Sequence, residues 1–158
     1  MGSALKVAER TAWEDRFSEP SLEALTAHYG KQFSSLFDVA RERLLDFESA
    51  GERVSWQGLP WRWCLVYGVE GDNTPAFAYL VPDPEGVVLC VPLNQPIIES
   101  MPMKRLKKHI RDGVYLAKHV ETTVWATWQV TARTQLDEVL DVAKRKHKFI
   151  ANRAAEAR

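Results

Sequence analysis

Val54-Ser55-Trp56-Gln57-Gly58-Leu59-Pro60-Trp61-Arg62-Trp63-Cys64-Leu65-Val66-Tyr67 packs three of the chain's six tryptophans into fourteen residues around one Gly-Leu-Pro turn. β-Branched and aromatic residues on both sides of turn chemistry read as two strands of a hairpin. The pattern continues. Runs over Val54–Trp56, Trp61–Tyr67, Ala76–Val81 and Val87–Leu93 are separated by Gly58-Leu59-Pro60, by Gly71-Asp72-Asn73-Thr74-Pro75 and by Pro82-Asp83-Pro84-Glu85-Gly86. Connections this short force antiparallel neighbours, so the segment is a meander. Strand parity puts Trp61, Trp63, Leu65 and Tyr67 on one face of the second strand, with Arg62, Cys64 and Val66 on the other. In the fourth, Val87, Leu89, Val91 and Leu93 oppose Val88 and Cys90, so both sheet faces are apolar and both call for cover, from helices, a second copy or a ligand. Pro92 predicts that pairing stops near it or that its nitrogen faces an edge.

Outward from the meander the period changes to that of helices. Ser18-Glu19-Pro20-Ser21 starts a short helix over about 19–29, which Gly30 ends. Phe33, Leu36, Phe37, Ala40, Leu44 and Phe47 fall on one stripe of a second helix, from Lys31 to Ala50, with Gly51 closing it. After the sheet, Ser100 caps a helix entered at Pro102 and closed by Gly113, with Met103, Leu106 and Ile110 inward and Lys104, Lys107, Lys108 and Arg111 on the opposite face. A fifth strand over Thr123–Val130 groups Val124, Ala126, Trp128 and Val130 and sends Trp125 to the other side. A closing helix is capped by Thr134 and carries Leu136, Val139, Leu140, Ala143, His147 and Ile150 on one stripe. The expected fold is α+β: a curved antiparallel meander of about five strands packed against N-terminal, middle and C-terminal helices. One domain spans 1–158, with an ordered core of about 19–150 and frayed ends.

The 158 residues are enough for one hydrophobic core. An apolar fraction of 46% and a charged fraction of 27% are those of an ordinary globular chain. Net charge is zero, yet residues 1–100 hold 8 Lys+Arg against 15 Asp+Glu while residues 101–158 hold 13 against 6. The acidic and basic halves either cancel on folding or present the C-terminal helices to an acidic partner. Cys64 and Cys90, each among apolar strand neighbours, read as small buried hydrophobes in a reducing compartment, which predicts a cytoplasmic location. No apolar run has the length of a membrane span, so no membrane partner is expected.

Three classes of function remain. A binding or interaction module would use an aromatic sheet face, with Trp61, Trp63, Tyr67, Phe77 and Tyr79 supplying stacking area and Arg62 holding an anion, for a small molecule, a protein or a second copy in a homodimer. The same aromatic residues equally well supply a core beneath helices. Nucleic-acid binding would use Lys104, Lys107, Lys108 and Arg111, although an amphipathic helix has a charged side in any case. An enzyme acting on a small molecule would need convergent polar groups, and no catalytic motif singles them out. His28, His109, His119 and His147 form no metal-spaced pair, so neither a metal nor another cofactor is expected.

Ser55-Trp56-Gln57-Gly58-Leu59-Pro60, together with the Trp125 strand followed by a helix ending near Lys148, resembles small uncharacterised bacterial α+β domains of the YdhG-like and YjbR-like kind over roughly residues 20–150. The resemblance implies an α+β fold. DNA binding has been suggested for the YjbR-like branch, which the basic helix matches and the acidic N-terminal half does not. No functional residue carries over from it.

Overall fold

The computed structural model describes residues 11–69 and 76–156, so the connection expected over 71–75 lies outside the described residues. The helices are α1 (Leu22–Thr26), α2 (Lys31–Leu45), α3 (Gln95–Ser100), α4 (Lys108–Tyr115) and α5 (Arg133–Glu156). The strands are β1 (Ala50–Trp56), β2 (Trp63–Val69), β3 (Ala78–Val81), β4 (Val87–Leu93), β5 (Lys118–Val120) and β6 (Thr123–Val130). They form one antiparallel sheet in the order β1-β2-β3-β4-β6-β5. The class is α+β as expected, but among the described residues the sheet has six strands. The sixth, β5, has only three residues, all exposed, too short to show a period.

The register assigns every strand residue to one of two faces. On the inner face lie Glu52, Val54, Trp63, Leu65, Tyr67, Leu80, Leu89, Val91, Ala126 and Trp128; on the outer face lie Arg53, Ser55, Cys64, Val66, Tyr79, Cys90, Trp125, Thr127 and Gln129. Helices meet the inner face. From α2, Arg41 donates through Nε and Nη2 to both oxygens of Glu52, at 3.2 and 2.9 Å, and the Tyr67 hydroxyl donates to Glu52 Oε2 at 2.6 Å. Burial of Tyr67 raises its hydroxyl pKa well above the usual range, and the Glu52 carboxylate adds to this. From α5, His147 stacks on Phe47 with centroids 5.2 Å apart, meets Phe77 edge-on at 5.2 Å, and bonds through Nε2 to the Glu48 carbonyl at 2.7 Å. Lys146 of α5 is buried as well, and desolvation lowers its pKa.

Several boundaries differ from the sequence expectation. The helix α1 is shorter than 19–29, because Ser21, whose side chain accepts from Ala24 N–H at 3.2 Å, is its cap. α2 stops at Leu45 rather than Ala50. The chain reverses through Ser49 at φ +58°, and Gly51 is a strand residue instead of a helix terminator. β3 begins at Ala78, and its pairing with β4 covers only Val88–Cys90, so pairing on that side has stopped before Pro92.

The expected helix from Pro102 to Gly113 is two pieces, and Ser100, expected to cap it, instead ends a separate helix, α3. Asn94 caps α3 by accepting from Ile97 N–H, a 3-10 turn spans Met103–Arg105, and α4 starts only after Lys107. The four cations therefore do not share one helix face. Lys104 lies in the 3-10 turn, Lys107 is the cap residue of α4, and only Lys108 and Arg111 belong to α4 itself.

Gly113, expected to end its helix, sits inside α4 for a packing reason. A Cβ there would lie 1.9 Å from Trp128 Nε1, which donates to the carbonyls of His109 and Ile110 at 3.2 and 3.3 Å. The indole takes the space of the missing side chain and fixes α4 against β6. Helix propensity alone gives Gly113→Ala a gain of roughly 1 kcal/mol. The overlap reverses the sign, and urea unfolding is expected to show a net loss of about 1–3 kcal/mol. On the outer face, burial pushes the thiols of Cys64 and Cys90 up to about 12 from 9. The folded state keeps both protonated above the pH at which unfolded thiols ionise, so their contribution is intact below pH 9 and lost as pH rises towards 12. Urea unfolding at about pH 8 and about pH 10 should show a loss of about 3 kcal/mol from the two thiols, absent in the Cys64→Ala/Cys90→Ala variant.

Candidate functional site

The turn that joins β1 to β2 folds back over the outer face. Gln57 N–H donates to the Arg62 carbonyl at 2.9 Å and Arg62 N–H to the Gly58 carbonyl at 2.6 Å, closing residues 57–62 into a compact flap. Gly58 has φ +78°, a conformation glycine adopts without steric cost. Arg62 has φ +59°, and this residue breaks the strand's alternation. β2 consequently starts at Trp63, and Trp61 does not share a face with Trp63 and Tyr67.

Trp61 lies against two outer-face residues instead: its ring centroid is 5.3 Å from that of Tyr79 and 6.0 Å from that of Trp125. Tyr79 and Trp125 are themselves 5.7 Å apart, which closes a triangle of half-buried aromatic rings above Cys64, Val66 and Cys90. Burial raises the Tyr79 hydroxyl pKa. The flap is tied from below by the segment 13–15. Trp13 Nε1 donates to the Trp61 carbonyl at 2.8 Å, and Trp63 Nε1 donates to the Asp15 carbonyl at 2.6 Å. Arg62 pairs with Glu14 at 2.9 Å and covers the Trp13 ring at 5.1 Å, so it is engaged within the fold and is not presented to an anion.

Of the aromatic residues singled out from sequence, the structure brings Trp61 and Tyr79 together on the outer face and places Trp63, Tyr67 and Phe77 in the core. Phe77 packs with Tyr67 and Phe47, at 6.3 and 5.5 Å. Parity within β6 does isolate Trp125, but its meeting with Trp61 depends on the Arg62 reversal.

Beside the triangle opens a cleft of about 890 Å³. Its floor is β6, through Trp125, Thr127 and Gln129 of the outer face, and Trp128, which packs against α4, also lines it. One wall is the flap, through Leu59, Pro60 and Trp61, and the other is α4 with the chain leading into β5. The rim is apolar: Leu59, Leu116 and Val120 are 77%, 82% and 47% exposed and all three line it. Asp112 and Lys118 supply its formal charges. His109 also lines it, with Nδ1 3.3 Å from Glu138 Oε2, while its Nε2 is buried without a hydrogen-bond partner among the described residues. The Thr127 hydroxyl donates to the Trp125 carbonyl at 3.1 Å.

Lys107 forms an ion pair with Glu138 at 2.9 Å, whereas Lys104, Lys108 and Arg111 have no ion pair among the described residues. Also among the described residues, no three His, Cys, Asp or Glu side chains converge as metal ligands, and no helix is long and apolar enough to cross a membrane. Compared with known proteins, the chain matches no family model and no curated protein sequence.

Proposed function

We propose that this chain is a non-enzymatic binding module that receives an apolar ligand in the cleft on its outer sheet face. The observation that carries this reading is the convergence of Trp61, Trp125 and three exposed aliphatic side chains on one concavity. Its volume of about 890 Å³ lies within the range of small-molecule sites. Apolar surface gathered into one cleft marks an interaction site in a way that scattered exposed residues do not. The polar groups around it favour binding over chemistry, since the His109 Nε2 is buried and both thiols are buried with raised pKa.

Titration with an anilinonaphthalene sulfonate dye tests this. Dye fluorescence should rise on binding, Trp125→Ala and Leu116→Ala should each weaken binding by about tenfold, and Phe17→Ala, at a 91% exposed residue outside the cleft, should leave it unchanged. Dye binding indifferent to both cleft variants would refute the reading. Light scattering on the same samples separates a ligand from a second copy as the occupant.

Nucleic-acid binding is the second reading, and Lys104, Lys108 and Arg111, which have no ion pair among the described residues, support it. Fluorescence anisotropy with random duplex and single strands should then show binding that weakens steeply with salt, and the absence of binding at ~50 mM salt, where phosphate contacts are strong, would sink it.

A further inference from the structure

We propose that the ligand is a small zwitterion with a flat apolar body, the chemistry of an aromatic amino acid or a short apolar peptide. This rests on the reading of the cleft as a binding site and specifies what the site selects. The inference starts from the charges. Near the cleft, Lys107 meets Glu138 and Arg62 meets Glu14, each at 2.9 Å. Asp112 and Lys118 are the formally charged side chains of the cleft lining itself. Both line the cleft, neither has an ion-pair partner among the described residues, and they do not pair with each other.

Their positions are set by the fold. Asp112 stands on the α4 wall next to Gly113, where the Trp128 indole fixes the helix against the sheet. Lys118 opens β5 directly opposite Trp125 in the β5–β6 ladder, and therefore on the same sheet face as that ring. An anionic point and a cationic point thus border a surface made of Trp61, Trp125, Leu116 and Val120. A neutral apolar occupant would pair with neither charge, and a singly charged one would pair with only one of them. A zwitterion answers both, its ammonium towards Asp112 and its carboxylate towards Lys118.

The tryptophans add a second observation. The indole N–H groups of Trp13, Trp63 and Trp128 each donate to a backbone carbonyl, whereas those of Trp61 and Trp125 in the cleft, and of Trp56 outside it, make no hydrogen bond among the described residues. Of the three tryptophans that line the cleft, Trp128 is thus committed to the fold, while Trp61 and Trp125 keep donors available for a ligand's carboxylate or carbonyl oxygens. The size of the cleft leaves room for more than one amino-acid residue, so chain length belongs in the test.

Calorimetric titration of the full chain would compare phenylalanine and phenylalanyl-phenylalanine with three derivatives of the dipeptide: N-acetylated, C-terminally amidated, and both. At least one zwitterion is expected to bind, each single blockage of the dipeptide to weaken binding by about tenfold, and the double blockage by more. Lys118→Gln should abolish the preference for a free carboxylate while keeping that for a free amine, Asp112→Asn should do the reverse, and Lys118→Arg should retain both preferences. The proposal is overturned if the doubly blocked compound binds as tightly as the zwitterion, if the two variants weaken all compounds alike, or if no member of the series binds. The dye separates the two levels: dye bound at Trp125 with no binding by any zwitterion leaves the cleft as a site and removes this ligand, whereas failure of the dye at the cleft variants removes the site itself.

Discussion

The backbone reversal at Arg62 is the constraint on which the outer face depends. A non-glycine residue at φ +59° is costly unless its surroundings compensate, and here they do so on both sides of the chain. The guanidinium is held by Glu14 and lies over Trp13, while the preceding carbonyl is taken by the Trp13 indole. With those contacts in place, consecutive tryptophans separate. Trp63 enters the core beneath the helices, and Trp61 crosses to the opposite face to meet two other strands. Had β2 continued in regular alternation, all three aromatic residues would have shared one side and the outer face would have lost a wall.

The inner face is held by a different kind of chemistry. Its polar insertion, Arg41–Glu52–Tyr67, is connected at every member, which is the condition under which a half-buried charge pair can be kept near a core. Tryptophan 128 works by shape as well as by hydrogen bonding, filling the notch that Gly113 leaves and donating to the carbonyls beneath it. These contacts hold α4 against β6.

Much of this was legible in the residues themselves. The meander, the fifth long strand, the stripe on α2 and the packing of His147 all follow from local period and turn chemistry, because each is decided within a dozen neighbouring residues. Elements set by distant contacts were not legible. The three residues Lys118–Val120 become a strand only because β6 offers an edge, and the break before Lys108 follows from the course of the chain between α3 and α4. For the site, Trp61 and Tyr79 were identified, whereas Trp63, Tyr67 and Phe77 went into the core. Trp125 carried a visible hint in its odd parity. Leu59, Leu116, Asp112 and Lys118 carried none, since nothing local says that a turn after β1 will lie across the sheet from the end of α4.

The hydrogen bond from Trp13 to the Trp61 carbonyl spans 48 residues of sequence. A wall anchored in this way belongs to the same cooperative unit as the core and does not open as an independent surface loop. Occupancy of the cleft is therefore linked to global unfolding: a bound molecule adds RT ln(1 + [L]/Kd) to the stability of the whole domain, and the binding free energy is not spent on ordering a mobile lid.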